Sequence, residues 1–255
     1  MNIKYFHFFI IIFITFIIFI ILNNYLKFKK NKLLEKFMNN NKYNIYVFWT
    51  GDNEMNEIRL NSIEKLKEIS ECNIILITNK NLKEYILPFV PLHPSYEYLS
   101  FTHRSDYLRT YFMHFYGGGY SDIKCTTGSW KSSFDELYNS NNFWINGYTE
   151  VKDGVAYEPL KNNYNELIGN GAYICKPKTL LTTEWYNSMI LLLDEKLEKL
   201  KEFPATFPQD CLEVSNGKYP IKWTEMLGDI FHKVCYKYKE KLLHTLPISI
   251  FQNYR

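Results

Sequence analysis

Residues 104–124, RSDYLRTYFMHFYGGGYSDIK, decide the fold of this chain. Their first half predicts a helix, on which Asp106 and Arg109 share one face because they are three residues apart. Consecutive glycines from Gly117 to Gly119 then end the helix, since glycine accepts the backbone conformations of a sharp turn. The stretch therefore predicts a helix that turns directly into a strand.

The strand predicted after the glycines carries a second set of polar groups. Tyr120, Asp122 and Lys124 alternate with Ser121 and Ile123, so on a strand their side chains point the same way. The structural alternative is an exposed Asp-Arg ion pair followed by an ordinary glycine-rich helix end. The conjunction of both pieces with this strand instead indicates a ligand-binding site.

The order S-D-x-x-R followed by G-G-x-Y-x-D resembles the donor-binding core of GT-A glycosyltransferases. The resemblance is to the DxD-containing sugar-transferase superfamily, which includes initiating mannosyltransferases, capsular polysaccharide synthesis proteins and large clostridial glucosylating toxins. It is dense over residues 45–124, thinner towards the C-terminus and absent before residue 40. Lys124 stands where that pattern has its second acidic residue.

The resemblance implies a nucleoside-diphosphate sugar as the donor and assigns contacts to it. Asp106 and Arg109 would hold hydroxyl groups of the ribose or the sugar. Trp49 would stack on the base, or be an ordinary core residue, and Asn170 would approach the donor sugar, or be a turn residue. The full predicted donor-binding set is Trp49, Thr50, Asp106, Arg109, Gly118, Tyr120, Lys124 and Asn170.

Asp122, Gln209 and Asp210 are predicted to be catalytic. Asp122 follows the glycine turn, where a carboxylate can ligate a metal ion, hydrogen-bond the donor ribose or simply cap the strand. Pro208-Gln209-Asp210 resembles the D-Q-D motif of retaining GT-A enzymes, whose glutamine lies beside the anomeric carbon. The resemblance therefore implies that Gln209 lies beside the anomeric carbon of the donor sugar.

The resemblance also implies a bound Mn²⁺ or Mg²⁺ ion. Some GT-A enzymes supply a C-terminal histidine to the metal, so Asp122 and His232 are the predicted ligands, with a packed structural histidine as the alternative. Lys124 opposes this prediction, because it replaces an oxygen ligand by a cation and both ions prefer several oxygen ligands. We therefore expect weak metal dependence.

The rest of the domain predicts an α/β fold. Residues 43–49 and 73–78 read as strands on either side of a helical repeat of apolar residues, which makes a β-α-β unit. Further strands are predicted at 143–147 and 168–175, and a long helix at 180–202. This alternation predicts a mainly parallel sheet with covering helices and with ligands beyond the carboxyl ends of the strands. The resemblance implies that this is the Rossmann-like GT-A fold.

The N-terminus predicts a membrane anchor. Residues 5–22 are almost uninterruptedly apolar and would rise about 27 Å as a helix, enough for a thin bilayer. We expect a single-pass membrane protein with an anchor at 1–26, a basic juxtamembrane stalk at 27–42 and a GT-A domain at 43–255. The lysines after the anchor favour a cytosolic domain, whereas the family resemblance allows a lumenal one.

Composition and missing motifs narrow the function. The net charge of +3 is small and its positive residues are scattered, which argues against nucleic acid as a partner. The sequence has no P-loop and no Gly-x-Ser-x-Gly. It predicts a membrane-anchored, retaining glycosyltransferase that moves a hexose from a nucleoside-diphosphate sugar to a hydroxyl of a glycan, lipid or protein. The alternative is a catalytically silent sugar-nucleotide or glycan-binding module on a membrane tether.

Overall fold

The computed structural model describes residues 3–38 and 42–251, and in the first helix the side chains of residues 12–28 and 32. The chain divides into two units, Met1–Asn40 and Asn41–Arg255. The first unit holds one helix, α1 (Ile3–Met38). Part of the predicted stalk therefore continues α1, and residues 39–41 of that stalk lie outside the described residues.

The prediction of a membrane-spanning helix is wrong. Among the helices in the described part of the chain, none is long and apolar enough to cross a membrane. The predicted single-pass membrane localisation is corrected accordingly.

The second unit is built on a six-stranded sheet with the order β2-β1-β3-β5-β4-β6. Strand β1 pairs in parallel with β2 and β3, and β4 pairs in parallel with β6. Strand β5 runs antiparallel to both of its neighbours, β3 and β4. The expected mainly parallel α/β sheet is therefore present, with one reversed strand inside it. The strands are β1 (Asn44–Trp49), β2 (Asn73–Thr78), β3 (Gly118–Ser121), β4 (Ile145–Thr149), β5 (Ile168–Cys175) and β6 (Leu242–Leu243).

Helices cover both faces of this sheet. They are α2 (Glu57–Ser70), α3 (Phe101–Phe115), α4 (Lys131–Asn139), α5 (Leu180–Glu202) and α6 (Gly228–Lys237). On one face, alternate strand residues pack with α2 and α4 through Ile45, Val47, Ile174, Leu66 and Phe134. On the other face, Phe48 of β1 meets Phe112 of α3 with ring centroids 5.1 Å apart, and Tyr173 of β5 packs on Trp185 of α5.

The turn between α3 and β3 depends on glycine. Helix α3 begins after Ser100, whose hydroxyl accepts a hydrogen bond from the backbone N–H of His103. At the other end, Gly118 has a φ of 83° and lies so close to β1 that a Cβ atom would be 3.1 Å from the carbonyl oxygen of Asn44. Only a glycine combines this positive φ with such an approach, so the helix can lead straight into the middle of the sheet.

Strand β3 is shorter than the sequence predicts. It ends at Ser121, and the chain then bends so that the N–H of Lys124 donates to the carbonyl oxygen of Asp122 at 2.7 Å. Asp122 and Lys124 therefore lie just beyond the strand rather than on it. The bend still leaves their side chains on the same side, as described below.

Candidate functional site

Polar side chains collect at one edge of the sheet. Trp49 closes β1, Asp122 follows β3 and Glu150 follows β4. Because β5 is antiparallel to β3 and β4, its first residues reach the same edge: Ser121 pairs with Ala172, and Thr149 pairs with Ile168. The edge corresponds to the ligand-binding edge of open α/β sheets, beyond the carboxyl ends of β1 and β3.

Arg109 is the centre of the polar network at this edge. Its Nη2 lies 3.2 Å from Oδ1 of Asp106 and 3.6 Å from Oδ1 of Asp122, and its Nη1 donates to the carbonyl oxygen of Asn170 at 3.0 Å. The guanidinium lies 4.3 Å above the centre of the Tyr120 ring. Asp106 is 3% exposed and Arg109 is 6% exposed, so the two do not form the solvent-exposed ion pair of the structural alternative.

Asp122 is held on both carboxylate oxygens. Oδ1 accepts a hydrogen bond of 2.6 Å from the hydroxyl of Tyr120, and Oδ2 accepts one of 2.6 Å from the ammonium of Lys124. Burial acts to raise the pKa of Asp122, but the charges of Lys124 and Arg109 and these hydrogen bonds outweigh it, so the pKa lies below its ordinary value. Asp122 is therefore an anion at neutral pH.

Asp106 differs electrostatically from Asp122. Its burial raises the pKa to about 6, against the opposing charge of Arg109, and the negative charge of Asp122 adds to the rise. Asp106 and Asp122 thus share one arginine while their pKa values move in opposite directions. One carboxylate of the pair titrates close to neutral pH and the other stays ionised.

Two pockets meet at this network. We call the first the β1-side pocket; its volume is about 340 Å³, and its wall includes Trp49, Ser105, Tyr120 and Gln209. We call the second the β4-side pocket; its volume is about 470 Å³, and its wall includes Tyr148, Glu150, Asn170, Gly171 and Phe251. Both pockets are lined by Thr102, Arg109, Asp122, Lys124 and Trp223. The ionic network therefore forms the junction between two cavities.

The predicted residues at the end of β1 have different surroundings. Trp49 is part of the β1-side pocket, and its indole N–H donates to the carbonyl oxygen of Asn53 at 2.8 Å, which fixes the ring. Thr50 is buried, and its hydroxyl donates to the carbonyl oxygen of Phe101 at the start of α3. Trp49 can meet a ligand, whereas Thr50 connects β1 to α3. Gly118 lies at the opposite end of β3 from Asp122, where it meets the requirement of the turn.

Gln209 and Asp210 are adjacent in the sequence but have different surroundings in the structure. Gln209 lines the β1-side pocket. The Asp210 carboxylate accepts hydrogen bonds from the N–H groups of Thr206 and Phe207, at 2.6 and 2.9 Å, and from the Thr206 hydroxyl at 3.1 Å. Burial opposes ionisation of Asp210, yet these hydrogen bonds lower its pKa. Asp210 therefore stabilises the loop that carries Gln209 to the pocket.

His232 has neighbours other than Asp122. It is fully buried on α6, and its Nε2 lies 3.1 Å from Nδ2 of Asn170 and 3.7 Å from Oε2 of Glu150. Within the described ranges, no group of three or more His, Cys, Asp and Glu side chains could hold a metal ion. Both Asp122 oxygens are engaged by donors, one of them a cation. The residues present therefore do not fit a divalent ion bound by Asp122 and His232.

Sequence reasoning missed most of the lining of the β4-side pocket, including Tyr148, Glu150, Trp223 and Phe251. A signal existed for Glu150, because it is a carboxylate that comes shortly after the strand predicted at 143–147. Trp223 and Phe251 come from irregular segments far along the chain. Neither segment has a helical or strand periodicity that would identify these residues as part of a site.

The match to a family model agrees with the sequence resemblance. A model of the family described as capsular polysaccharide synthesis protein matches residues 15–166, more than half of the chain. A solved structure titled PaToxG glycosyltransferase matches with a TM-score of 0.44 and 14% sequence identity, covering 85% of this chain and 80% of that chain. A comparison with curated proteins gave no significant match.

The fold, the ionic network at the sheet edge and the family match together define a GT-A-like glycosyltransferase. This confirms the class that the helix-glycine-strand stretch indicated. The chain belongs to the capsular polysaccharide synthesis protein family.

Proposed function

We propose that this glycosyltransferase moves a hexose from a nucleoside-diphosphate sugar to a hydroxyl group of a glycan, lipid or protein acceptor. The observation that carries the proposal is the position of Arg109 and Lys124, two cations at the junction of two pockets. A diphosphate bound there would lie next to both. Preorganised cations stabilise the charge that develops on a departing diphosphate, which is the main electrostatic demand of this reaction.

The β1-side pocket suits the nucleoside. Trp49 offers an aromatic wall for the base, and stacking of this kind tolerates any base because each has a π-face. Asp106 and Asp122, both in contact with Arg109, are placed to accept hydrogen bonds from ribose or hexose hydroxyls. Asn170, whose carbonyl is held by Arg109, lines the β4-side pocket, where the hexose would enter.

The proposed transfer exchanges one bond at C1 of the hexose for another. The acceptor oxygen bonds to C1 of the hexose while the bond from C1 to the diphosphate oxygen breaks, and the nucleoside diphosphate leaves with that electron pair. In transfer with retention, which the family resemblance implies, the hydroxyl proton passes to the departing diphosphate oxygen. Lys124 and Arg109 would balance the leaving charge, and the pockets would hold donor and acceptor in line.

A donor panel tests this proposal. The purified full-length chain is incubated with uridine, guanosine, adenosine and thymidine diphosphate hexoses, and released nucleoside diphosphate is measured alongside donor binding in calorimetry. One donor should both bind and turn over, and the anomeric configuration of the product, read by NMR, should match that of the donor. Binding without turnover for every donor would support a sugar-nucleotide-binding module instead. An inverted product would contradict retention.

A further inference from the structure

The β4-side pocket has three residues to which the proposed donor contacts assign no role. They are Glu150, Phe251 and Trp223, and Trp223 also borders the β1-side pocket. We propose that this pocket binds a saccharide acceptor, with Glu150 accepting a hydrogen bond from an acceptor hydroxyl and with the rings of Trp223 and Phe251 packing on the sugar. This inference rests on the proposed function, because it names the acceptor class and the acceptor subsite of the same reaction.

Glu150 is fixed in place and still has acceptor capacity. It is only 6% exposed, and its two oxygens accept hydrogen bonds from the backbone N–H groups of Val151 and Asn170, at 2.9 and 3.4 Å. Its carboxylate packs so closely on Gly154 that a Cβ there would be 2.3 Å from Oε1. A carboxylate offers about four lone-pair sites. The held carboxylate can therefore accept a ligand hydroxyl without rearranging.

Two aromatic rings are exposed in the same pocket. Trp223 is 45% exposed and Phe251 is 50% exposed, although both are large apolar side chains. One exposed aromatic ring is ordinary, but here two of them line a concave site together with a buried carboxylate. An apolar wall with a few placed polar groups is the usual make-up of a small-molecule pocket. Aromatic faces match the C–H faces of a sugar ring, and Glu150 matches its hydroxyls.

The remaining charges of the pocket favour a saccharide over a lipid chain. Asp106, Arg109, Asp122, Lys124 and Glu150 all line it. Four of these groups also serve the proposed donor site, so the acceptor lies beside a charged wall, and an acyl chain there would exclude water from these groups without giving hydrogen bonds in return. A polyhydroxyl ring supplies those hydrogen bonds. The volume of about 470 Å³ also lies within the range of small-ligand sites, roughly 300–1,000 Å³.

The pocket touches the donor half of the site at Gly171. A Cβ atom on Gly171 would lie 3.6 Å from Oδ2 of Asp122, 3.8 Å from the Phe251 ring and 3.0 Å from the Tyr148 hydroxyl. Asp122 belongs to the proposed donor site and Phe251 to the proposed acceptor site. A sugar packed on Phe251 would therefore lie beside the hexose held by Asp122, as transfer requires.

The experiment uses the full-length chain with its accepted donor and methyl glycosides of glucose, galactose, mannose and N-acetylglucosamine as acceptors. Glu150→Gln should raise the KM of the accepted glycoside by roughly 10- to 100-fold, the effect of a lost charge-assisted hydrogen bond, with a much smaller effect on the donor Kd. Gly171→Ala adds a methyl group at the junction and should also raise the acceptor KM. Glu158→Gln is the matched control, since Glu158 lies in the same connecting segment with its side chain 77% exposed.

Two results would overturn the inference. One is transfer to serine- or threonine-containing peptides, or to a lipid alcohol, with none to any glycoside. The other is an unchanged glycoside KM in Glu150→Gln. If no donor binds or turns over, the proposed function itself fails. Glycoside binding can then be followed by tryptophan fluorescence, with Trp223→Phe as the variant that should lose the response; a response that persists in this variant places the glycoside elsewhere.

Discussion

The ammonium nitrogen of Lys124 lies 2.6 Å from Oδ2 of Asp122, at the position where the resembling sugar transferases carry a second acidic residue. The pair is further enclosed by the ring of Phe251, 4.4 Å from the same nitrogen. Lys124 is buried, so this is not a casual surface contact. A fixed positive charge therefore occupies the part of the site that would face a diphosphate.

We expect turnover to persist in the presence of a chelator. A cation beside Asp122 repels a divalent ion by roughly 1–4 kcal/mol at a partly solvated distance, and the surrounding residues do not complete a ligand set. The measurement is nucleoside diphosphate release with EDTA and then with added Mn²⁺. Loss of turnover in EDTA with full recovery in Mn²⁺ would show that Lys124 does not replace the ion.

Of two substitutions of Lys124, only the one that introduces a carboxylate should make donor binding depend on Mn²⁺. Lys124→Met and Lys124→Asp should both weaken donor binding by roughly 10- to 100-fold without metal, because a charge-assisted contact is lost. Lys124→Asp adds an oxygen ligand next to Asp122, so Mn²⁺ should restore part of the donor affinity of this variant. Mn²⁺ should not restore the donor affinity of Lys124→Met, which gains no oxygen ligand. Calorimetry with and without Mn²⁺ measures both. Equal responses of the two variants to Mn²⁺ would contradict this account.

The forked geometry of Arg109 should matter as much as its charge. Arg109 contacts Asp106, Asp122 and the carbonyl of Asn170 through two different nitrogens. Lysine keeps the charge but cannot make these contacts together. Arg109→Lys should therefore weaken donor binding by about tenfold or more. Arg104→Lys is the control on the same helix, since Arg104 donates to the carbonyl of Glu97; equal donor Kd values for the two variants would refute the prediction.

Donor binding should weaken as the pH falls through about 6. Burial raises the pKa of Asp106 to about 6, so this carboxylate is mostly ionised at pH 7 and mostly protonated at pH 5. Protonation removes the charge that strengthens its hydrogen bonds to a donor hydroxyl. The two charged groups that act on Asp106 are Arg109 and Asp122. Both keep their charges in this range, since the pKa of Arg109 is raised and the pKa of Asp122 is lowered.

The donor Kd measured from pH 5 to pH 8 tests this prediction. The wild-type chain should show a transition near pH 6, and Asp106→Asn should bind weakly and without that transition. A transition that survives in Asp106→Asn would assign it to another group.

Gln209 and Asp210 should separate into a pocket residue and a structural residue. Asp210→Ala removes the acceptor of three hydrogen bonds in the 206–210 loop. We expect it to lower the free energy of unfolding by about 1–3 kcal/mol, measured in urea. Gln209→Ala should leave unfolding nearly unchanged and reduce turnover, because Gln209 lines the β1-side pocket. The reverse pattern would restore Asp210 as the residue that acts on the donor.

The sequence predicts the parts of the site that depend on short separations. Asp106 and Arg109 meet because residues three apart share a helix face, and the glycines between α3 and β3 bring Asp122 to the sheet edge. The predicted long helix at 180–202 coincides with α5. These features follow from local periodicity and from the turn chemistry of Gly117 and of Gly118, the first residue of β3, which a single sequence contains.

Other features depend on contacts that local pattern does not encode. Strand β3 ends before Asp122 because the Lys124 N–H turns back to the Asp122 carbonyl. His232 was expected beside Asp122. It instead contacts Asn170 and Glu150, because α6 packs against β5, the strand that carries Asn170. Trp223 and Phe251 reach the pocket from irregular segments. Such placements are fixed by tertiary packing between distant parts of the chain.

The reversed direction of β5 has a consequence for how chains of this family can diverge. Residues 150–167 leave the sheet edge after β4 and return to it at the start of β5, and the two ends are joined by a hydrogen bond of 3.0 Å from the Glu150 N–H to the Leu167 carbonyl. A connecting segment whose two ends lie side by side can change in length and sequence without altering the order of the strands. Exchanging residues 150–167 with the matching segment of a relative should therefore transfer the preference for an acceptor, while the preference for a donor stays unchanged.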